Sequence, residues 1–285
     1  MTSSDEKRRK ILVAWDGSAA SAETFPLAST IGTQLEAEAE ILHVVAEGAA
    51  QDDIARAVRE IGLDGLDRSR LRVETGNVAE AILSAAEDPS VALVMMTVHG
   101  DSGSTRHRLG SVAEAVIARS KKPIILVQPG TSHGVRPLKR LLLPLDGTPT
   151  TATALQPATE LARRLGASID LLYVAGTGRS GPEERGSIGA PRYVDQKQHE
   201  WPDWASEVET RLADACAQCP PEVPVHTYLA QGEIATEIAR FATEHACDAI
   251  ALVRRSRLQA GRARTLRAVL EHAPCPVLIL SGPET

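Results

Sequence analysis

The segment TVHGDSGSTRHRLGSV, which ends at residue 112, combines residue types suited to holding an anion. Gly100 and Gly110 let the backbone approach a phosphate where a Cβ would obstruct it. Ser111 opens a helical pattern, and the unpaired N–H groups and positive dipole end of a helix N-terminus favour an anion. Two arginines of the loop, Arg106 and Arg108, can act as charge partners for that anion. These residues favour a phosphate-binding loop.

The same stretch also has an interpretation that needs no ligand. Ser111 and Glu114 fit the S-x-x-E capping box, in which the two side chains cap the first turn of a helix. Asp16-Gly17-Ser18 can form a strand-to-helix turn that ends in an N-cap. His99 and His107 lie in a polar loop, where histidines are more often solvated than functional. The spacing alone leaves both interpretations open.

The elements that must position the loop belong to an internal repeat. RKILVAWDGSAASAE at 9–23 returns as KRLLLPLDGTPTTAT at 139–153, which aligns Asp16 with Asp146. Further along, TGNVAEAIL returns as QGEIATEIA, and RSKKPIILV returns as HAPCPVLIL. We therefore expect two domains, at 1–133 and 134–285, joined within the Pro/Gly-rich stretch QPGTSHGVRPLK.

Each copy alternates short apolar strands with helical patterns. In the first copy we expect strands near 10–14, 40–45, 70–73, 92–97 and 123–127. We expect helices near 19–36, 51–62, 78–87 and 111–119. Nearly continuous apolar strands that alternate with helices indicate a mostly parallel sheet covered on both faces. The predicted fold class is α/β, with two tandem Rossmann-like, doubly wound domains of five strands each.

In such sheets ligands bind beyond the carboxyl ends of the strands. Asp16 ends the first strand of the first copy, and the glycine-containing loop follows the fourth. The carboxylate of Asp16 is suited to accepting hydrogen bonds from a ribose or a base. The topology therefore predicts that Asp16 and the loop meet at one edge of the sheet.

Several motifs, in this order, resemble those of the universal stress protein family: AWDGS, LHVV, GNVAEAIL and the loop that ends in GSVAEAVI. The likeness extends along nearly all of both copies. ATP-binding members carry G-x-x-G, nine residues and G-S/T at the place of this loop. Here Thr97 stands at the first glycine, Gly100 at the second, and Gly110-Ser111 closes the motif with its spacing intact.

The resemblance implies that the first copy binds ATP, or AMP or another adenine nucleotide such as cyclic AMP. Asp16 and the backbone at Val44 would face the adenosine, and the loop would surround the phosphates. The implied nucleotide-binding residues are Asp16, Val44, Met96, Thr97, His99, Gly100, Gly110, Ser111 and Val112. Binding of a triphosphate would make Mg²⁺ a plausible companion ion.

The second copy lacks the loop motif. Val253 and Ser256 stand where the first two glycines would be, and Ala263-Arg264 replace Gly-Ser. Six arginines occupy the stretch instead: positions 254, 255, 257, 262, 264 and 267. They form a solvated or ion-paired face, a site for a different anion or an arm that reaches the other copy, and we expect the solvated or ion-paired face. We interpret the second copy as a structural partner with a degenerate nucleotide motif.

An insertion near 176–204 distinguishes the second copy, and it is rich in glycine, proline and charge. It carries three aromatic residues: Tyr193, Trp201 and Trp204. These either anchor the insertion to the next helix or engage a partner. We expect anchoring.

Composition excludes several function classes. A formal net charge of −6 argues against a nucleic-acid binder. The N-terminus has no apolar signal core, and the apolar runs are too short to span a bilayer, so we expect a cytoplasmic protein without membrane association. Among the four cysteines, the CAQC motif at 216–219 ends a helix, whereas a redox motif usually opens one, so we expect no redox or metal role.

No catalytic constellation emerges from the sequence. The chain has no GxxxxGK[ST], GxGxxG or GxSxG motif and no convincing carboxylate pair. His43 lies in a buried strand pattern and is expected to be a hydrogen-bonded core histidine. We therefore expect that the protein is not an enzyme, with at most weak ATP hydrolysis.

These features together lead to the hypothesis that the protein is a nucleotide-responsive stress-response protein that signals to an unknown protein partner. One alternative is an interaction module of the same fold that binds no nucleotide, and a second is a slow nucleotide hydrolase. The last strands, PIILV and PVLIL, are apolar edges that favour pairing. They predict an intrachain pseudo-dimer of the two copies, with a homodimer of the chain as a further option.

Overall fold

The structure is a computed structural model that describes residues 8–45, 70–99, 109–129, 136–145, 153–176, 219–254 and 260–281, as well as Ser206, Val208, Thr210, Cys216 and Ala217. Side chains at 260–264 are outside this description. The chain divides into two compact units, Met1–Pro137 and Leu138–Thr285. The predicted domain limits, at 133 and 134, and the predicted pairing of the two copies stay predictions.

The first unit is built on a five-stranded sheet. Its strands are β1 (Arg9–Trp15), β2 (Ala37–Val45), β3 (Leu71–Thr75), β4 (Val91–Thr97) and β5 (Ile124–Val127). Their order is β3-β2-β1-β4-β5, and all neighbours are parallel. The central strand is fully buried, with Ile11, Leu12 and Val13 inaccessible to solvent. The predicted doubly wound α/β fold is confirmed in this unit.

Four helices are described in the first unit. They are α1 (Ala19–Ala22), α2 (Thr24–Leu35), α3 (Val78–Ala86) and α4 (Ser111–Arg119). The prediction of one continuous helix over 19–36 is wrong, because the helix is interrupted at Glu23, between α1 and α2. Pro26 has no N–H to donate to the carbonyl of Ala22, four residues earlier, so a continuous helix would leave that carbonyl without its bond. The predicted helix 51–62 lies outside the described residues.

Packing fixes α2 against one face of the sheet. A Cβ added at Gly32 would lie 2.6 Å from the carbonyl oxygen of Ala37. The glycine therefore permits a close approach between α2 and the start of β2. Leu42 and Val44 point to the opposite face, because side chains alternate along a strand. That opposite face carries the cleft described below.

The second unit repeats the same plan. Its strands are β6 (Arg140–Leu145), β7 (Ser168–Gly176), β8 (Val225–Gly232), β9 (Ala249–Arg254) and β10 (Val277–Ser281). In the same direction as for the first unit, their order is β8-β7-β6-β9-β10, and all neighbours are parallel. The described helices are α5 (Leu155–Leu165), α6 (Ile234–Glu244) and α7 (Ala260–His272). The order matches that of the first unit strand for strand, which confirms the tandem repeat.

Matching ion pairs join the first two strands of each unit near their amino ends. In the second unit, Arg140 Nε donates to Asp170 Oδ2 at 2.5 Å, and the Asp170 side chain has 0% exposure. In the first unit, Lys10 pairs with Glu40, whose side chain is 20% exposed. Both pairs lie at the end of the sheet opposite to the predicted ligand edge. We therefore assign them to the stability of the fold.

Candidate functional site

A cleft of about 490 Å³ lies at the carboxyl ends of β1, β2 and β4, bordered by α3 and by the N-terminus of α4. The strand order reverses between β1 and β4, which is the switch point where ligands bind in open α/β sheets. Eight of the nine predicted nucleotide-binding residues line this cleft: Asp16, Val44, Met96, Thr97, His99, Gly110, Ser111 and Val112. The ninth, Gly100, lies outside the described residues. Their role in binding stays a prediction.

One wall of the cleft is apolar. Leu42 and Val44 of β2 line the cleft together with Val78 and Ile82 of α3. Among the large hydrophobic residues that the structure describes, Val78 is the one that is exposed, with 38% of its surface accessible to solvent. Sequence reasoning missed Leu42, Val78 and Ile82, although the i, i+4 spacing of the last two within GNVAEAIL places them on one helix face. This wall suits a flat, apolar-faced group.

Asp16 follows β1 and is held by a dense set of hydrogen bonds. Its Oδ1 accepts from the backbone N–H of Ser18 at 3.0 Å and from the Ser18 hydroxyl at 2.7 Å. The hydroxyl of Ser21 donates to the same oxygen at 2.5 Å. Ser18 is also the N-cap of α1, since its side chain accepts from the N–H of Ser21. The predicted strand-to-helix turn with an N-cap is therefore confirmed.

The turn after β1 rests on a buried histidine. His43 Nδ1 lies 3.0 Å from the carbonyl oxygen of Trp15, and because a carbonyl only accepts, Nδ1 carries the proton. Gly17 has a φ of +92°, and a Cβ there would lie 3.5 Å from His43 Cε1. The expectation of a hydrogen-bonded core histidine is confirmed. His43 supports the backbone that carries Asp16.

The two ends of the predicted phosphate loop are tied together. The N–H of Gly110 donates to the carbonyl of Val98 at 2.9 Å, while the N–H of Val98 donates to Val127 at 3.0 Å. A Cβ on Gly110 would lie 3.3 Å from the Val98 carbonyl oxygen, so the glycine permits this close approach. Thr97 is the last, buried residue of β4 with a strand conformation. A β-branched residue is therefore compatible with this position.

The first turn of α4 opens onto the cleft. Its N-cap is Gly110, with φ −65° and ψ 148°, a residue that has no side chain to cap the helix. The capping-box alternative for Ser111 and Glu114 is therefore wrong, because Ser111 is already the first helical residue. Ser111 is exposed and lines the cleft with Val112 and Ala113. The N–H groups of a first helical turn have no intrahelical acceptor, so they are suited to an anion.

The equivalent position in the second unit differs in its backbone. Ala263-Arg264, which replace Gly110-Ser111, lie inside α7, which already begins at Ala260. No helix N-terminus is therefore placed where the first unit has one. Arg254 ends β9, and its half-buried guanidinium donates to the Ser281 hydroxyl at 3.4 Å. Burial lowers the pKa of Arg254.

Several predicted features of the second copy lie outside the described residues. These are Asp146, the arginines 255 and 257, and the side chains of 262 and 264, together with the insertion near 176–204 and its aromatic residues. In the first copy, the same holds for Arg106, His107 and Arg108. The choice between a solvated face and an anion site for the arginine-rich stretch stays open.

The CAQC motif is a pair of partly buried thiols. Cys216 is the last helical residue before a turn, which agrees with a motif that ends a helix. Burial raises the pKa of Cys216 to about 11 and also raises the pKa of Cys219. Within the described ranges, no group of three or more His, Cys, Asp or Glu residues is arranged to hold a metal ion. A high thiol pKa is the opposite of what a redox-active cysteine needs.

None of the helices in the described ranges is long and apolar enough to cross a membrane.

Comparison with known proteins bears on this architecture. The sequence model of the universal stress protein family matches residues 7–128 and again residues 137–281. A universal stress protein from Archaeoglobus fulgidus DSM 4304 has a similar structure, with a TM-score of 0.61 at 16% identity, covering 96% of this chain and 99% of its own. No curated protein matches this chain.

A second solved structure, a putative universal stress protein from Pseudomonas aeruginosa UCBPP-PA14, aligns with a TM-score of 0.55 at 14% identity and covers 97% of this chain and 94% of its own. At these identities the structural likeness supports the tandem fold. The two family matches together span most of the sequence. The chain therefore belongs to the universal stress protein family and carries two tandem copies of its domain.

Proposed function

We propose that the first copy binds an adenine nucleotide in the cleft beside Asp16, and that the protein is a nucleotide-responsive regulator. The observation that carries this proposal is the composition of one cleft. An apolar wall, an exposed carboxylate and an open helix N-terminus lie together at the switch point of the sheet. These are the three kinds of group that a base, a ribose and a phosphate require.

The apolar wall accounts for the base. Val78 exposes 38% of its surface beside the cleft, and covering it with an adenine ring would remove apolar area from water. The volume of about 490 Å³ is within the usual range for small-molecule sites. The wall supplies few polar contacts, so it favours the apolar face of a base over a charged group.

The N-terminus of α4 accounts for the phosphates. The exposed hydroxyl of Ser111 and the first-turn N–H groups can donate to phosphate oxygens. A Mg²⁺ ion brought with a triphosphate would take its ligands mainly from the phosphates. Asp16 is the one carboxylate among the described residues that line the cleft, so a protein-built metal cage is not expected there.

A regulatory role fits this site better than catalysis. Asp16 Oδ1 already accepts three hydrogen bonds, so this oxygen is engaged in holding the turn after β1. Nucleotide occupancy would change the surface around the cleft. A partner protein would read that change.

The test uses matched variants of the two copies. Val78 begins α3 in the first copy, and Ile234 begins α6 at the aligned position in the second. Val78→Glu places a carboxylate on the proposed base wall, while a helix N-terminus tolerates the added charge. We expect Val78→Glu to abolish ATP binding in isothermal titration calorimetry, and Ile234→Glu to leave it intact.

The ligand panel for this titration is ATP, AMP and cyclic AMP. Saturable binding of at least one of them by the nucleotide-free wild type, lost only in Val78→Glu, supports the proposal. If no nucleotide binds the wild type, the proposal is wrong and the first copy is an interaction module that keeps the fold alone.

A further inference from the structure

Ser21 is a buried hydroxyl next to the candidate site, and it takes no direct part in lining the cleft. It lies in α1 with 1% exposure. Its Oγ is 2.5 Å from Asp16 Oδ1 and 3.1 Å from the carbonyl oxygen of Ser18. The shortest of these contacts gives Ser21 a direct link to Asp16, which lines the cleft.

Three hydrogen bonds to Asp16 converge on one of its oxygens. The N–H of Ser18, the hydroxyl of Ser18 and the hydroxyl of Ser21 all donate to Oδ1. Asp16 itself is exposed, and an exposed aspartate without such donors would sample several rotamers. With Oδ1 held against α1, the direction of the bond from Cγ to Oδ2 is also fixed.

Ser18 and Ser21 contribute differently to this arrangement. Ser18 is the N-cap of α1, so its replacement would disturb the helix as well as the carboxylate. The hydroxyl of Ser21 makes no cap, and its donation to Asp16 crosses from the helix to the end of β1. Removing that hydroxyl tests the orientation of Asp16 while the cap remains.

We propose that Ser21 is a positioning residue of the nucleotide site, which orients the Asp16 carboxylate toward the ribose hydroxyls of the ligand. This inference rests on the proposed function. The apolar wall takes the base, and the α4 N-terminus takes the phosphates. The ribose hydroxyls are then the donors of an adenine nucleotide that remain for a carboxylate at this edge.

A purely structural role is the competing explanation. The second copy carries Asp146, Thr148 and Thr151 at positions that align with Asp16, Ser18 and Ser21. Since that copy lacks the glycine-containing loop, the same pattern could serve the turn alone. A turn role predicts that loss of the Ser21 hydroxyl affects every ligand equally, whereas positioning predicts an effect confined to ligands with ribose hydroxyls.

The experiment compares ATP with 2′,3′-dideoxy-ATP by calorimetry in the wild type, Ser21→Ala and Asp16→Asn. We expect Ser21→Ala to weaken ATP roughly fivefold to tenfold, as for loss of one hydrogen bond to a charged group. We expect its affinity for dideoxy-ATP to stay within about twofold of the wild type, because the group that Asp16 binds is absent. Asp16→Asn should show the same selectivity, and the double variant should add little to it.

Ser90 provides a matched control. Its hydroxyl and N–H both donate to Asp88 Oδ1 at 2.9 Å, and it is also buried. It precedes β4 at the opposite end of the sheet. Ser90→Ala should leave the affinities for both nucleotides unchanged. Ser21→Cys, which keeps a weak donor of similar size, replaces Ser21→Ala if the alanine variant does not fold, and we expect the same selectivity from it.

The outcomes separate this inference from the proposed function. Wild type that binds none of ATP, AMP and cyclic AMP overturns both. If the wild type binds ATP, the Ser21 variant decides the positioning role. Equal loss of affinity for ATP and dideoxy-ATP, or no loss for either, overturns that role and leaves the proposed function in place.

Discussion

The backbone N–H of Gly110 donates to the carbonyl oxygen of Val98 across 2.9 Å. This bond joins the end of β4 to the N-cap of α4, so the intervening loop begins and ends at one point. The same point borders the cleft, since both residues line it. The geometry of the predicted phosphate loop therefore depends on a glycine that carries no Cβ.

Substitution at Gly110 should separate the loop ends. A Cβ would lie 3.3 Å from the Val98 carbonyl oxygen, and the β-branched side chain in Gly110→Val adds further atoms at that contact. We expect ATP affinity to fall about tenfold or more, because displaced N–H groups no longer meet the phosphates. Calorimetry gives the affinity, and the melting temperature of the ligand-free variant reports on folding. An unchanged affinity in the folded variant would rule out a phosphate role for this turn.

Ser111 should contribute only to ligands that carry phosphate. Its hydroxyl is exposed at the first position of α4, so Ser111→Ala removes one donor and leaves the glycine N-cap in place. We expect about tenfold weaker binding of ATP and of AMP, from one lost hydrogen bond to an anion. Adenosine, which has no phosphate, serves as the control and should bind both proteins equally. Equal weakening of adenosine would contradict the assignment.

The ion pair at the amino end of the second unit should matter more for stability than its counterpart in the first. Arg140→Met leaves the Asp170 carboxylate buried without its guanidinium partner, which we expect to cost about 3 kcal/mol of unfolding free energy. Lys10→Met leaves Glu40, which is partly exposed, and should cost about 1 kcal/mol or less. Urea unfolding of the two variants measures the difference. Equal losses would show that burial of the acid does not decide the effect.

Alkylation should separate a structural from a redox role for the CAQC motif. Because burial raises the pKa of Cys216 to about 11, the reactive thiolate is scarce at neutral pH and becomes more abundant as the pH rises toward that value. We expect iodoacetamide to modify Cys216 in the folded protein at pH 8 on the order of a hundredfold more slowly than in the unfolded chain. Mass spectrometry over a pH series measures this rate. A rate already at its plateau by pH 7 would indicate a low pKa and revive a redox role.

The sequence allowed the fold to be predicted because its signals are local and repeated. Apolar runs bounded by turn residues gave strands that agree with β1 to β5 within a few residues. The internal repeat then carried the prediction to the second unit. The helix break at Glu23 was missed because the missing donor belongs to Pro26, three residues inside a pattern that otherwise has helical periodicity.

The candidate site was only partly predictable. Asp16, Gly110 and Ser111 stand out by residue type and spacing. Val78 and Ile82 do not, because an apolar wall uses the same residues as a helix core, and only the exposure of Val78 distinguishes it. The capping box failed for a different reason, since Gly110 satisfies the N-cap backbone geometry and shifts Ser111 into the helix. The hydrogen bond from His43 to the Trp15 carbonyl joins two strands and cannot be read from spacing.

The central claim is that one of the two copies binds an adenine nucleotide. The most direct measurement is the stoichiometry of ATP binding to the nucleotide-free chain, determined by calorimetry with protein at a concentration above the dissociation constant. We predict one nucleotide for each chain, because α4 begins at the cleft of the first copy whereas α7 begins earlier at the aligned position of the second. Two nucleotides for each chain would contradict the loss of the second site, and no binding of ATP, AMP or cyclic AMP would contradict the proposed function itself.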